Sequence, residues 1–481
     1  MSVYDLWAIS PLMALAAGAL AVMLGIAIRR SHKASVLVAM GSLLAALMLL
    51  EPASTLPGQA TILLIVDGFS IFYTALILSA GLAICAMAYG YLQKQPSHRE
   101  EFYVLLLLSL LGATVLVGST HFVSFFLGLE ILSVSLYALI AYRRENLLAI
   151  EAGAKYLVLA GMSSAILLFG MALIYTQTGT MSFGELASAT KGPLGVIMAG
   201  GLALMLAGIG FKLALVPFHM WTPDVYQGAP APVTALIATV SKGAMFALLL
   251  RYLDVLGIRQ NELITAVLTV IAIASMLTGN LLALLQDNVK RMLAYSSIAH
   301  LGYLLVALVA AGDLASTAVS FYLVAYFVTT LGAFGVVTIL SDYQRDADSL
   351  EDYRELLWRH PVLAGVLGTM LLSLAGIPLT AGFAGKFLVL SAGVQSHLWL
   401  LVAMLVINSA VGLFYYLRVI TAMCMHRPHR VAPALLAYEP SHKLAPAGVA
   451  ALAVLTAALL YLGALPSGLM RLIEATVLAA R

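Results

Sequence analysis

Apolar residues fill most of this chain in stretches long enough to cross a lipid bilayer, and short polar segments separate them. About 20 apolar residues in a helix cover the ~30 Å hydrocarbon core of a membrane. Every backbone polar group in the bilayer needs an internal partner, so we predict that these stretches are helices. The fourteen predicted spans cover approximately residues 9–28, 35–50, 67–93, 102–118, 119–141, 150–175, 195–228, 232–254, 262–285, 289–310, 316–340, 361–394, 397–425 and 444–464.

The seventh and the twelfth of these spans are too long for a single crossing. Residues 195–228 and 361–394 each cover 34 residues, and a continuous helix of that length would extend ~51 Å. Both contain helix breakers near the middle, including Pro217 in the first and Pro378 in the second. Unwound backbone is tolerated in a membrane only inside protein or beside a water-filled cavity. We therefore predict that each of these spans is two half-helices joined by a break.

The positions of the two breaks predict an internal repeat. They lie five spans apart, and an odd offset reverses orientation, so spans 4–8 and 9–13 are expected to form two inverted five-helix repeats. Glu130 in span 5 precedes Lys212 in span 7 by 82 residues, and His300 in span 10 precedes Lys386 in span 12 by 86. The expected division is a three-span N-terminal segment (1–101), the two repeats (102–258 and 259–425), and a C-terminal loop with the last span (426–481).

Composition and charge add an orientation to this all-α polytopic membrane fold. The chain is 62% hydrophobic and 10% charged, whereas soluble domains carry about 25% charged residues. If both termini lie outside, the inside loops hold 16 basic residues, the outside loops hold 5, and 4 remain within spans. Inside loops are the basic ones in membrane proteins, so we predict that both termini face outward. The charges of the loop at residues 342–360 are expected to form a solvated face or a contact with a neighbouring subunit.

Four lysines and one glutamate fall within the predicted spans. A charge at the centre of a bilayer costs about 2.5–3.5 kcal/mol on insertion scales and marks function by default. Lys242 and Glu130 are expected near the midplane, while Lys212 and Lys386 lie beside the breaks. Lys155 lies about one turn from the inner surface, where a long side chain can reach the headgroups.

These residue types fit proton transfer. Burial favours the neutral amine of lysine and a nearby carboxylate favours the ammonium, so a lysine that gains and loses Glu130 as a partner would bind and release a proton. His219 in the first break and His300 in span 10 are candidate relays. The alternatives are a structural ion pair for Glu130, a structural role for Lys155, and a helix–helix hydrogen bond for His300. Most tyrosines are expected to be interface anchors or packing residues.

Several longer segments resemble one family. They include FKLALVPFHMWTPDVYQGAPAPV (211–233), NVKRMLAYSSIAHLGY (288–303) and SLAGIPLTAGFAGKF (373–387). Together with residues 66–73 and 126–139, they resemble the antiporter-like membrane subunits of proton-translocating NADH:quinone oxidoreductase, respiratory complex I. The resemblance covers essentially the whole chain. In the related subunit M the span-12 position is a glutamate, whereas this chain has Lys386. Subunit L carries a long C-terminal lateral helix, whereas this chain ends soon after span 14. We therefore expect the subunit N branch.

The resemblance implies roles for the buried charges. Glu130 and Lys212 would be the pumping pair, and Lys242 the central lysine. Lys386 would face the outer half-channel. The further members of the pathway would be Lys155, His300 and, with less support, His219.

The resemblance also implies a setting for the chain. It would translocate protons across the inner membrane of a bacterium, driven by electron transfer from NADH to quinone in other subunits. FMN, iron–sulfur clusters and quinone would be held elsewhere, with no cofactor or metal bound by this chain. Other membrane subunits and the lipid bilayer would be its partners, and nucleic acid would not. A subunit of a multi-subunit cation/proton antiporter or of a membrane-bound hydrogenase is the open alternative.

Overall fold

The computed structural model describes residues 3–56, 58–93, 95, 98–189, 195–257, 261–310, 312–342, 345–426 and 445–478. Most of the predicted C-terminal loop, residues 427–444, lies outside the described residues. The same holds for some basic residues of the orientation argument, namely Lys94, Lys191, Arg259, Arg427, Arg430, Lys443 and Arg481.

The described chain is almost entirely helical. The helices of the first half are α1 (Val3–Ala8), α2 (Ser10–Ile28), α3 (His32–Met48), α4 (Leu50–Ser54), α5 (Gly68–Gln93), α6 (Glu101–Gly118), α7 (Phe122–Ile140), α8 (Leu147–Thr178), α9 (Phe183–Ala189), α10 (Val196–Leu213), α11 (Trp221–Gly228), α12 (Ala231–Leu236) and α13 (Lys242–Leu256). A π-helical turn, Ile237–Ser241, joins α12 to α13. The strands β1 (Gly58–Gln59) and β2 (Ile65–Val66) form a small antiparallel hairpin before α5.

The second half continues in the same way. Its helices are α14 (Glu262–Leu284), α15 (Val289–Ala310), α16 (Gly312–Leu340), α17 (Leu356–Arg359), α18 (Pro361–Ala375), α19 (Ala381–Gln395), α20 (Trp399–Cys424), α21 (Pro446–Ala464) and α22 (Ser467–Ile473). A 3-10 turn, Leu350–Tyr353, precedes α17, and a π-helical turn, Glu474–Leu478, follows α22.

The predicted all-α membrane fold is confirmed, with a helix or helix pair at each predicted span. Within the described residues, thirteen helical segments are long and apolar enough to cross a membrane. The twelfth predicted span is instead divided between α18 and α19. The eighth and tenth spans, α12–α13 and α15, are entirely buried among the other helices. These two spans form the centre of the bundle.

The loops lie alternately at the two ends of the bundle. At one end, the loop after span 5 meets the loop after span 11, where Arg143 Nη1 and Asp346 Oδ1 are 2.9 Å apart. At the other end, Ser396 before span 13 donates to the carbonyl of Ala310 at the end of span 10, at 2.7 Å. This arrangement agrees with spans that run alternately up and down.

A buried ionic network lies at the first of these ends. The Asp346 carboxylate accepts hydrogen bonds from Tyr91 Oη (2.8 Å), Arg143 Nη1 (2.9 Å) and Lys290 Nζ (2.6 Å). Lys290 also donates to two backbone carbonyls at the C-terminal end of α11, at 3.0 and 2.6 Å. The prediction of a solvated face for residues 342–360 is therefore wrong for Asp346, because three donors from distant segments converge on it.

Glycines allow the closest helix pairs. A Cβ atom added to Gly112 in α6 would lie 2.5 Å from the backbone nitrogen of Leu132 in α7. A Cβ atom at Gly279 in α14 would lie 2.6 Å from the backbone nitrogen of Ala299 in α15. Small residues at such contacts let helix backbones approach closely in membranes. These contacts fix α7 and α15, which carry several of the polar groups described next.

Candidate functional site

Both predicted breaks are present, and they use the same backbone device. Ala214, the residue that follows α10, has a left-handed backbone (φ 57°), and the N–H of Leu215 donates to the Gly210 carbonyl at 2.8 Å. Gly376, the residue that follows α18, is also left-handed (φ 89°), and the N–H of Ile377 donates to the Leu372 carbonyl at 3.0 Å. This six-to-one bond with a left-handed residue is the Schellman termination. A proline two or three residues later prevents the helix from resuming.

Lys386 fills the second break. Its Nζ donates to the carbonyls of Leu374 (2.8 Å) and Ala375 (2.9 Å), the last residues of α18, and to Ser409 Oγ in α20 (2.8 Å). The C-terminal carbonyls of a helix carry a partial negative charge, so the half-helix holds this cation without a carboxylate. A lateral pocket of about 300 Å³ opens beside it between α19 and α20, lined mainly by apolar residues such as Phe387.

Glu130 and Lys212 lie close together but do not form an ion pair within 4 Å. Lys212 Nζ donates to Ser133 Oγ at 2.7 Å. Ser133 is one helical turn beyond Glu130 on α7, and Ser164 Oγ on α8 donates to the Glu130 carboxylate at 2.5 Å. Each charge is therefore held by a hydroxyl group, and Tyr156 presents its ring to the Lys212 ammonium at 5.4 Å. A structural ion pair, the alternative for Glu130, is not what this geometry contains.

Lys242 occupies the centre of the bundle. It is the first residue after the π-helical turn of span 8, and such turns occur frequently at functional sites. Its Nζ donates to Ser297 Oγ on α15 at 2.5 Å, and the ring of Tyr226 lies 5.2 Å from it. No described carboxylate lies within 4 Å of this ammonium.

His300 joins the surroundings of Lys242 to those of Lys386. Its Nδ1 is 2.6 Å from Tyr322 Oη and its Nε2 is 3.1 Å from Tyr416 Oη. Tyr416 in turn makes a short hydrogen bond with Ser296, the neighbour of the serine that holds Lys242. The ring of Tyr303 contacts both the imidazole and the Lys386 ammonium, at 5.4 and 5.1 Å. Polar groups thus run almost continuously from Lys242 to Lys386.

Lys155 and His219 are placed apart from these clusters. The Lys155 side chain is 43% exposed and pairs with Glu151 (2.7 Å) and Asp224 (2.8 Å). Asp224 also pairs with Arg291 at 2.7 Å, so Lys155 belongs to a network on the outer surface of the bundle. His219 is buried in the first break, and its Nδ1 makes no hydrogen bond to any described residue.

The hydroxyl and ring partners were missed by the sequence analysis. Tyrosine was expected mainly at interfaces, yet Tyr156, Tyr226 and Tyr303 are buried beside lysines. A signal was available for the serines, because Ser133 follows Glu130 by three residues and Ser297 precedes His300 by three, which places each pair on one helix face.

Solved structures share this fold. A subunit of respiratory complex I from Thermus thermophilus with bound aureothin matches with a TM-score of 0.81 and 34% identity, over 96% of this chain and 98% of that one. The Mrp complex from Dietzia sp. DQ12-45-1b matches with a TM-score of 0.85 at 21% identity, over 98% of this chain and 96% of that one. An archaeal membrane-bound sulfane sulfur reductase matches with a TM-score of 0.82 at 24% identity and the same coverage. The last two likenesses concern the fold alone.

Sequence comparisons identify the family. The family model described as "NADH:quinone oxidoreductase/Mrp antiporter, TM" matches residues 119–412. "NADH-quinone oxidoreductase subunit N" of Ectopseudomonas mendocina (strain ymp) is 50% identical over 430 residues, 88% of this chain and 87% of the relative. The protein of the same name from Methylococcus capsulatus is 50% identical over 432 residues, with the same coverage. These matches confirm the resemblance read from the sequence: the chain belongs to the NADH-quinone oxidoreductase subunit N family.

Proposed function

We propose that this chain is a proton-translocating membrane subunit of a bacterial NADH:quinone oxidoreductase and works as a multi-pass protein of the inner membrane. One observation carries the proposal: Lys212, Lys242 and Lys386 are buried among helices with only neutral partners within 4 Å. Such lysines are costly in a membrane and mark ion or proton pathways. An ammonium held by hydroxyl groups, carbonyls and rings can lose its proton without breaking an ion pair.

The proposed pathway has two parts. Glu130 and Lys212 form the first, in which a small movement of either side chain brings the carboxylate and the ammonium into contact or separates them. Lys242, His300 and Lys386 form the second. Hydroxyl groups of Ser297, Ser296 and Tyr416 lie between Lys242 and His300, and the Tyr303 ring lies between His300 and Lys386. His219 remains a candidate relay in the first break. Lys155 is the weakest member, because its charge is already balanced by two surface carboxylates.

The direction of transport follows from the basic loops. We place the end of the bundle with Arg143 and Lys290 inside and both termini outside, so protons would enter near that end and leave on the periplasmic side. Quinone reduction elsewhere in the complex would supply the energy. FMN, iron–sulfur clusters and quinone would belong to other subunits, and this chain would do no redox chemistry. A reporter enzyme that is active only in the periplasm should therefore be active when it is fused to the C-terminus.

The inverted repeats remain part of the proposal. The common Schellman termination of α10 and α18 supports equating spans 4–8 with spans 9–13, as does the close packing of α6 on α7 and of α14 on α15. The proposed boundaries are residues 102–258 and 259–425.

Replacement of Lys212 and of Glu130 tests the proposed function. In purified complex reconstituted into liposomes, Lys212→Met and Glu130→Gln should lower NADH-driven proton uptake per quinone reduced, while the complex stays assembled. Lys212→Arg should also impair pumping, because arginine keeps its proton at physiological pH. Lys33→Gln, at an exposed position, is the matched control. Wild-type pumping in an assembled Lys212→Met complex would refute the role.

The second candidate is a subunit of a cation/proton antiporter, because the description of the matching family model names the Mrp antiporter beside the oxidoreductase. Purification of the tagged chain from its native membrane separates the two. NADH dehydrogenase subunits should accompany it if it belongs to the oxidoreductase.

A further inference from the structure

Each of the three buried lysines lies against the face of a tyrosine ring. The ammonium-to-centroid distances are 5.4, 5.2 and 5.1 Å, within the ~6 Å range of a cation–π contact. The three tyrosines belong to α8, α11 and α15, so the contacts arise from different parts of the fold. The pairs are Lys212 with Tyr156, Lys242 with Tyr226, and Lys386 with Tyr303.

The three environments share a serine, although Lys386 also donates to two carbonyls of α18. Each ammonium donates to one serine hydroxyl, from Ser133, Ser297 or Ser409. None of the three has a carboxylate within 4 Å among the described residues. Each of these three lysines thus has one serine and one tyrosine among its partners.

Lys290 shows that burial alone does not produce this arrangement. Its side chain is as buried as those of the other three, but it binds the Asp346 carboxylate at 2.6 Å. Lys155, on the surface, binds two carboxylates. Neither has a tyrosine or other ring partner among the described residues. Among these five lysines, a ring partner occurs where a carboxylate partner is missing; the arginine Arg251, by contrast, has both Asp67 and the Phe69 ring.

The physical difference between the two partners concerns the proton. The face of an aromatic ring is negative and attracts an ammonium, whereas a neutral amine gains little from it. A carboxylate at contact distance attracts the ammonium much more strongly in a low-dielectric interior and so holds the proton. A ring supports the charged state without trapping it.

We propose that Tyr156, Tyr226 and Tyr303 are positioning residues that support the protonated lysines through their ring faces, in place of counter-ions. This inference rests on the proposed function, since it assumes that these lysines carry the transported protons. The Tyr226 hydroxyl also lies 3.3 Å from Ser297 Oγ, so the test has to separate the hydroxyl from the ring face.

The experiment varies the ring electrostatics at constant shape. Tyr226 is replaced by Phe and by phenylalanines carrying one, two or three fluorines, which progressively weaken the negative face. Assembly is checked on native gels, and NADH-driven proton uptake is measured in liposomes. We expect Tyr226→Phe to retain most pumping and the trifluorinated ring to lower it at least about fivefold, a modest part of what a desolvated contact contributes. The same series at Tyr252, which is buried but lies over no lysine, should leave pumping unchanged.

The outcomes separate this inference from the proposed function. Lys242→Met pumping at the wild-type rate would refute the proposed pathway itself. If Lys242→Met abolishes pumping but fluorination at Tyr226 has no graded effect, the role of Lys242 in proton transfer is kept and the role of the ring is refuted. Equal losses at Tyr226 and Tyr252 would also overturn it, because they would reflect packing rather than ring electrostatics.

Discussion

Asp346 is the buried carboxylate that Lys290 and Arg143 share, so Asp346→Asn is the sharpest test of the buried ionic network. Its oxygens serve Lys290, Arg143 and Tyr91 at 2.6 to 2.9 Å. Asparagine keeps the shape but removes the negative charge that Lys290 and Arg143 share. Breaking one buried pair by removing a partner typically costs about 3–5 kcal/mol. That range corresponds to a roughly 10²- to 10⁴-fold fall in the ratio of folded to unfolded protein.

The control for this test lies in the same loop. Glu351 is 64% exposed and pairs with Arg354 at 2.6 Å, and exposed pairs contribute about 0–1 kcal/mol. Both variants are solubilised in mild detergent, and their loss of monodisperse protein with temperature is followed by fluorescence-detected size-exclusion chromatography. Asp346→Asn should melt at a much lower temperature than Glu351→Gln, and adding Lys290→Met should restore part of the loss. Equal melting of the two single variants would refute the reasoning.

Three further predictions concern the ion pair of Asp67 with Arg251, the helix contacts and the surface network of Lys155. Burial raises the pKa of Asp67, but the hydrogen bonds and the charge of Arg251 outweigh it and leave that pKa below its ordinary value. The pair therefore stabilises the fold above pH ~4 and loses this effect as the pH falls further, so Asp67→Asn should lower stability at pH 7 and flatten the acid limb of a denaturation profile. Gly112→Ala should separate α6 from α7 and lower the melting temperature, whereas Gly161→Ala, with no atom within 4 Å of the added Cβ, should be neutral or stabilising by up to ~1 kcal/mol. Lys155→Met should retain most proton pumping in liposomes, and a loss as large as that of Lys212→Met would place Lys155 on the pathway.

The spans and breaks were predictable because both depend on local sequence. Apolar length sets a crossing, and Pro217 and Pro378 sit where helices cannot continue. The mode of termination was less visible. Gly376 is an ordinary left-handed cap, but the first break uses Ala214 in that conformation, and no local pattern marks alanine for it.

The site was predictable in its ions and unpredictable in its partners. Lys212, Lys242 and Lys386 stand out because charge is rare in a span, whereas serine and tyrosine are common there and carry no such contrast. Partner choice depends on which helices pack together, as for Ser297 and Lys242, which are 55 residues apart. Asp346 was misjudged for the same reason, since only tertiary contact reveals the donors around it.

In the break of span 12, the number of N–H donors on Lys386 matches the number of acceptors around it. An ammonium has three N–H groups, and Lys386 has three acceptors: two terminal carbonyls of α18 and the hydroxyl of Ser409. A neutral amine has only two N–H groups, so loss of the proton removes one of these three donated hydrogen bonds. Because Lys386 belongs to α19 and the carbonyls belong to α18, the hydrogen bonds of this one side chain join the two half-helices. The protonation of Lys386 and the strength of that joint are therefore linked.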